Sequence, residues 1–210
     1  MITQKAQKFQ WVIDCLSINT RLFAKVDKVI LVTFACFFLG APLAVTGEEG
    51  TPNEYRVKAA YLLNFAKFVE WPPVVFSGSD APIVLCILGK DPFGDTFDSI
   101  KGKLVNGRNV RVSQLKDVRG SKACHILFVS ASERDSLPNI FSKLKQSKIL
   151  VAGDVQDFAA YGGVIGFVIK DKRIGFEINV DAAKRAGITI SSKLLSMAKI
   201  VRDSPVEEKD

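Results

Sequence analysis

Ile83 to Leu88 reads IVLCIL, an unbroken apolar run closed by Gly89. Six residues is the length of a strand, and the lack of alternating polar positions means that both faces are buried, as in a parallel sheet covered on two sides. His125 to Val129 (HILFV) repeats the pattern after Cys124, and Ile149 to Ala152 repeats it again. Val110 to Leu115 alternates as a half-buried strand. Between these runs, Asp91 to Lys101 (with Pro92 in its first turn), Ser132 to Gln146 and Asp154 to Tyr161 read as helices. Alternating strands and helices give an α/β layer fold with a mainly parallel sheet of about five or six strands. Gly162-Gly163 leads into Val164 to Ile169, and Lys170-Asp171-Lys172 turns back into Arg173 to Val180, so a β-hairpin is expected to form an antiparallel edge. Ala182 to Arg202 reads as a last helical region, broken at Gly187 to Ser191.

Upstream, Glu54 to Glu70 reads as an amphipathic helix. Val57, Ala60, Tyr61, Asn64, Phe65, Phe68 and Val69 recur at three- and four-residue steps, Asn53 is a natural N-cap, and Trp71-Pro72-Pro73 ends the helix. Further upstream, Val29 to Val45 (VILVTFACFFLGAPLAV) carries no charge, follows Arg21, Lys25 and Lys28, and ends among small residues. That order is a signal peptide, with processing expected after Gly47, give or take a few residues. A retained membrane helix is the alternative, but the run is short for a span and contains Pro42. The expected organisation is a leader or anchor over 1–47, one α/β domain over 48–203 and a charged tail over 204–210.

The whole chain carries 29 basic and 22 acidic residues, a net charge of +7. Five basic and two acidic residues precede position 48, leaving a mild +4 beyond it. The basic residues are scattered without interleaved aromatics, which argues against a nucleic-acid partner. Cys86 and Cys124 are the cysteines outside the leader. An even pair in an exported chain favours a disulfide, and two buried thiols acting as small hydrophobes are the alternative.

No cofactor motif stands out. Gly89-x-x-x-x-Gly94 is followed by Asp95 and Thr96 where a P-loop needs Lys and Ser/Thr, no GxGxxG occurs, and no Cys/His spacing suits a metal. His125 is the single histidine, and its neighbour Cys124 would point to the opposite face of a strand. It reads as structural, and the chain as a non-enzyme. Ligands of parallel sheets sit outside the strand carboxyl ends, which makes Lys90, Ser130 and Asp154 candidate contacts, with ordinary capped turns as the plainer reading. In FEINV, Glu177 and Asn179 share a face with Arg173, either as the charged edge of the sheet or as a polar patch for a ligand or partner.

VKAAYLLNFAKFVEWP (Val57–Pro72), IVLCILGKDPFG (Ile83–Gly94), ACHILFVS (Ala123–Ser130) and RIGFEINVDAAKRAGITISSKLLSMAKIV (Arg173–Val201) together resemble the YfiR family of periplasmic proteins. The resemblance implies an α/β domain that acts as a repressor, binding the periplasmic sensing domain of a membrane-bound diguanylate cyclase and so restraining cyclic di-GMP synthesis and biofilm formation. It also implies that Cys86 and Cys124 can form a redox-linked disulfide. Some members carry a second cysteine pair later in the chain, and this sequence has none. The candidate partners are therefore the periplasmic domain of such a signalling protein and a second copy of this chain.

Overall fold

The computed structural model describes residues 51–203. The leader expected over 1–47 and the tail over 204–210 lie outside the described residues.

The long helix α1 spans Pro52–Phe68. Its N-cap is Thr51, whose hydroxyl accepts from the Glu54 amide at 3.3 Å, and not Asn53. Pro52 explains the earlier start, because a first-turn proline loses no helical hydrogen bond. The buried stripe also differs from the expected one. Tyr55, Lys58, Ala59, Leu62, Phe65 and Ala66 face inward, while Val57 is exposed. The stripe keeps its three- and four-residue steps but is rotated around the helix, so that it takes in a lysine. Val69–Glu70 leave the helix as a short strand, β1, before the prolines.

The strands β2 (Ile83–Leu88), β3 (Leu104–Val105), β4 (Arg108–Leu115), β5 (Ile126–Val129), β6 (Leu150–Gly153), β7 (Ile165–Lys170), β8 (Arg173–Asn179) and β10 (Lys199–Val201) form one sheet in the order β10-β8-β7-β6-β5-β2-β4-β3. Its pairs are parallel except β3/β4 and β7/β8. A two-stranded antiparallel sheet joins β1 to β9 (Thr189–Ile190). The fold is thus α/β with a mostly parallel sheet, as expected, but with eight strands in place of five or six. The hairpin is not the edge: Lys199, Ile200 and Val201 pair with Glu177, Ile178 and Asn179 outside it.

The central strands bury alternate residues on opposite faces. Ile83, Leu85, Ile87, Ile126, Phe128, Leu150 and Ala152 join α1 in one core. Cys86, Leu88, Leu127, Val129, Ile149 and Val151 join helix α2 (Leu137–Leu144) in the other. The hairpin turn is Asp171-Lys172, with φ of 51° and 61° between paired Lys170 and Arg173. Two successive positive φ values match the twist of the flanking strands.

The connections contain less α-helix than expected. Asp91–Lys101 forms a 3-10 helix over Gly94–Ser99, because the Asp91 carboxylate takes the Phe93 amide at 2.8 Å and Gly94 lies at φ 50°. Ser132–Gln146 begins as a 3-10 helix (Ala131–Ser136) and becomes α-helical only from Leu137. Residues 154–161 are turns. The expected last helix resolves into α3 (Val180–Arg185), β9, α4 (Ser192–Leu195) and β10. Ser191 caps α4, and its amide is bound to the Phe68 carbonyl, so the segment is tied to α1 and cannot run on as one helix. No described helix is long and apolar enough to cross a membrane.

Candidate functional site

At the strand carboxyl ends, the turns after β2 and β5 are built against each other. The Ser130 amide donates to the Leu88 carbonyl at 3.0 Å, and the Lys90 amide donates to Ser132 Oγ at 2.9 Å. Gly89 makes this approach possible: its φ is 91°, and a Cβ there would stand 2.5 Å from Ser132 Oγ. Ser130 is buried and the Lys90 side chain exposed.

Asp154 follows β6 but turns away from the Lys90 turn and toward α1. Its Oδ2 accepts from the Tyr55 hydroxyl and from Lys58 Nζ, each at 2.9 Å. Lys58 also pairs with Glu54 at 2.5 Å and lies 4.5 Å from the centroid of the Tyr55 ring. Lys58 and Asp154 side chains are each only 4% exposed, so this is a buried ion pair rather than a surface one. Asp154 Oδ1 is buried with no partner among the described residues. Tyr55 and Lys58 were not singled out from sequence. The available signal was the Glu54–Lys58 spacing of four, which favours an ion pair along a helix. The partner that draws Lys58 inward lies 96 residues away.

Glu177 and Asn179 stay on one face of β8 but serve different neighbours. Glu177 receives Lys199 Nζ at 2.7 Å from β10, and this carboxylate raises the pKa of the Lys199 ammonium. Asn179 is fully buried. Its Oδ1 caps α3 by accepting from the Asp181 and Ala182 amides, and its Nδ2 donates to the Ala159 carbonyl and to Asp203. Arg173 is exposed at the mouth of the hairpin turn. Asp203 also binds Arg185, which lowers the Asp203 pKa.

Cys86 and Cys124 form a disulfide with Cα atoms 5.9 Å apart. The bond lies in the α2-side core and fastens β2 to the end of a 3-10 helix, Val118–Ala123. His125 faces the other way. Its Nδ1 accepts from the Val84 amide at 3.1 Å, so the ring proton sits on Nε2, and the ring stacks on Phe76 with centroids 4.5 Å apart. Burial, with the nearby Arg108 charge, lowers its pKa, and the Val75 carbonyl pulls weakly the other way. This is a neutral, packed histidine. Among the described residues, no group of three His, Cys, Asp or Glu side chains could hold a metal ion.

Among the clefts of the described surface, the three most prominent are not lined by Lys90, Ser130, Asp154, Arg173, Glu177 or Asn179. The first, about 870 Å³, runs between α2 and α3 over Leu137, Phe141, Tyr161 and Val164, with Arg134 and Arg185 among its lining residues. The second, about 780 Å³, opens at the amino ends of β5 and β6, beside His125 and Ile149. Neither cleft coincides with the strand carboxyl ends or with the polar face of β8 that the sequence pointed to.

A family described as YfiR/HmsC-like matches residues 55–199. Among solved structures, the chain is similar to the ABC domain in complex with L-Trp from Streptococcus pneumonia (14% identity, TM-score 0.44, covering 57% of this chain and 55% of that one). It is also similar to a conserved domain protein from Vibrio cholerae O1 biovar El Tor (9% identity, TM-score 0.48, covering 70% and 59%). The chain therefore spans little more than half the length of either, and no functional statement rests on these two likenesses.

Proposed function

This chain belongs to the YfiR/HmsC-like family of periplasmic regulators, and from that membership we propose that it binds and inhibits the periplasmic sensing domain of a membrane-bound signalling protein, a diguanylate cyclase foremost. The observation that carries the reading is the family match across residues 55–199, which takes in both sheet-covering layers and both cysteines. In this reading the protein works by occupancy and not by chemistry: bound to the sensing domain, it holds the cyclase in its inactive arrangement, and its release lets cyclic di-GMP rise and favours biofilm. The leader over 1–47 would deliver it to that compartment.

The disulfide gives this regulator a second input. Cys86 and Cys124 close the α2-side core, so their reduction would free the 3-10 helix over Val118–Ala123 from β2 and alter the surface that it presents. Lys90, Ser130 and Asp154, and separately Arg173, Glu177 and Asn179, remain the surfaces proposed for ligand or partner contact. The part of Ser130, Asp154, Glu177 and Asn179 in such contact is indirect, since Ser130, Glu177, Asn179 and the Asp154 side chain are buried: Asn179 holds neighbouring backbone, and Asp154 holds the Tyr55 and Lys58 side chains.

The test is affinity capture of the exported protein from envelope membranes, under oxidising and reducing conditions, with cyclic di-GMP measured in cells that have and lack the gene. Recovery of a cyclase-bearing membrane protein and a rise in cyclic di-GMP on deletion is the expected result. Recovery of no membrane signalling protein in either condition, with cyclic di-GMP unchanged, would overturn it. A periplasmic small-molecule binding module is the second reading, favoured by the clefts of about 870 and 780 Å³, which fall in the range of ligand sites.

A further inference from the structure

The cleft at the amino ends of β5 and β6 has an unusual charge balance. Its lining includes Arg119, Lys122, Lys143 and Lys148 and no carboxylate. Arg119 is already occupied: its guanidinium holds Asp117 through Nε at 2.9 Å and Nη2 at 2.5 Å, an interaction that brings the Asp117 pKa down to about 2. Lys122, Lys143 and Lys148 form no ion pair among the described residues, although Lys143 lies near enough to add to the pull on the Asp117 carboxylate. Three like charges around one concavity repel each other, and an anion placed between them removes that repulsion.

The remaining walls suit a small molecule. Val74, Val75, Leu144 and Ile149 supply an apolar side, and Cys124, locked to Cys86, fixes the base of the 3-10 helix that carries Arg119 and Lys122. The C-terminal end of α2 also reaches the cleft, and its carbonyls would oppose an anion. That effect is blunted at Leu144, whose carbonyl already accepts from both the amide and the hydroxyl of Ser147.

We infer that this cleft binds a small polyanion, a molecule bearing two or more phosphate-type groups. Ammonium groups bind phosphate oxygens as point charges, and three of them around one cleft call for a ligand that carries more than one negative charge. The planar fork of Arg119, which suits phosphate and carboxylate alike, is spent on Asp117. A cleft of about 780 Å³ admits a ligand of metabolite size and is too small for a folded partner. The site lies at the end of the sheet opposite Lys90, Ser130 and Asp154, and its occupancy does not depend on the cyclase reading.

Isothermal titration calorimetry of the purified oxidised protein with inorganic pyrophosphate in 150 mM salt tests the inference. The wild type should bind, the Lys122→Gln/Lys148→Gln variant should bind about tenfold more weakly or worse, and Lys67→Gln/Lys170→Gln, which removes the same charge elsewhere, should bind as the wild type does. Circular dichroism melts confirm that all three are folded. No binding by the wild type would overturn the inference, and so would equal weakening in both double variants, which would reduce the effect to net charge. A match between pyrophosphate and an equal concentration of sulfate would overturn it too, by showing generic anion binding at single lysines.

Discussion

Removing the disulfide tests how much of the fold's stability is set in the unfolded chain. The perturbation is Cys86→Ala/Cys124→Ala. The two cysteines are 38 residues apart, and a cross-link of that span takes about 13 cal/mol/K of entropy from the unfolded ensemble, or about 4 kcal/mol at 25 °C. Both residues are buried in the α2-side core, so the alanines add a small loss of packing. At about 2–4 °C per kcal/mol for a domain of this size, the melting temperature should fall by about 8–16 °C. Urea unfolding monitored by circular dichroism measures the change directly. Wild type reduced with dithiothreitol should match the variant to within about 1 kcal/mol, because the two share an uncross-linked unfolded state. A loss below about 1 kcal/mol in the oxidised comparison would refute the reasoning, since the cross-link would then constrain nothing that the unfolded chain does not already lack.

Three further predictions follow from buried polar groups. Lys58→Met should cost about 3–5 kcal/mol by leaving the Asp154 carboxylate buried without its ammonium, while Lys58→Met/Asp154→Leu should recover much of that loss; a urea-denaturation cycle in which the double variant is the less stable would count against the ion pair. Asn179→Ala should cost about 2 kcal/mol or more, because one side chain caps α3 and also satisfies the Ala159 carbonyl, and a change under about 0.5 kcal/mol would show the cap to be dispensable. Burial holds the folded pKa of His125 below the ordinary histidine value of 6.5, so the stability it contributes is complete above that value and is lost as pH falls below it. Wild-type melting temperature should therefore drop between pH 6.5 and 5 by more than that of His125→Phe, and parallel curves for the two would rule His125 out as the cause.

The readable parts of the fold are those where one residue pattern determines one environment. IVLCIL and HILFV bury both faces and place neighbouring side chains in opposite cores, so strand, parallel partner and two-sided covering followed together. Ala182–Arg202 was unreadable for the opposite reason. Its Ala, Lys and Leu content favours helix, yet β9 and β10 exist through pairing with β1 and β8, 119–121 and 22 residues away in register. Pairing of that kind overrides local propensity. The Lys58–Asp154 contact was hidden in the same way, because a lysine at helix spacing looks solvent-facing until its distant carboxylate is known. The cysteine pair was legible because only two of the four cysteines lie beyond the leader expected over 1–47. The basic cleft was not: Arg119, Lys122, Lys143 and Lys148 belong to separate segments that only the packing of α2 brings together.

The position of β10 has a consequence for how the protein is made. Lys199–Val201 closes the side of β8, and these residues follow every other described strand in chain order, so they are the last strand to be made. Until they arrive, the FEIN segment of β8 presents unsatisfied backbone groups beside apolar side chains, a template for joining another unfinished copy. Maturation thus contains an interval of self-association risk that ends only when three residues dock. Truncation before Lys199 would make that interval permanent, and its expected outcome is inclusion in aggregates rather than a soluble but inactive regulator.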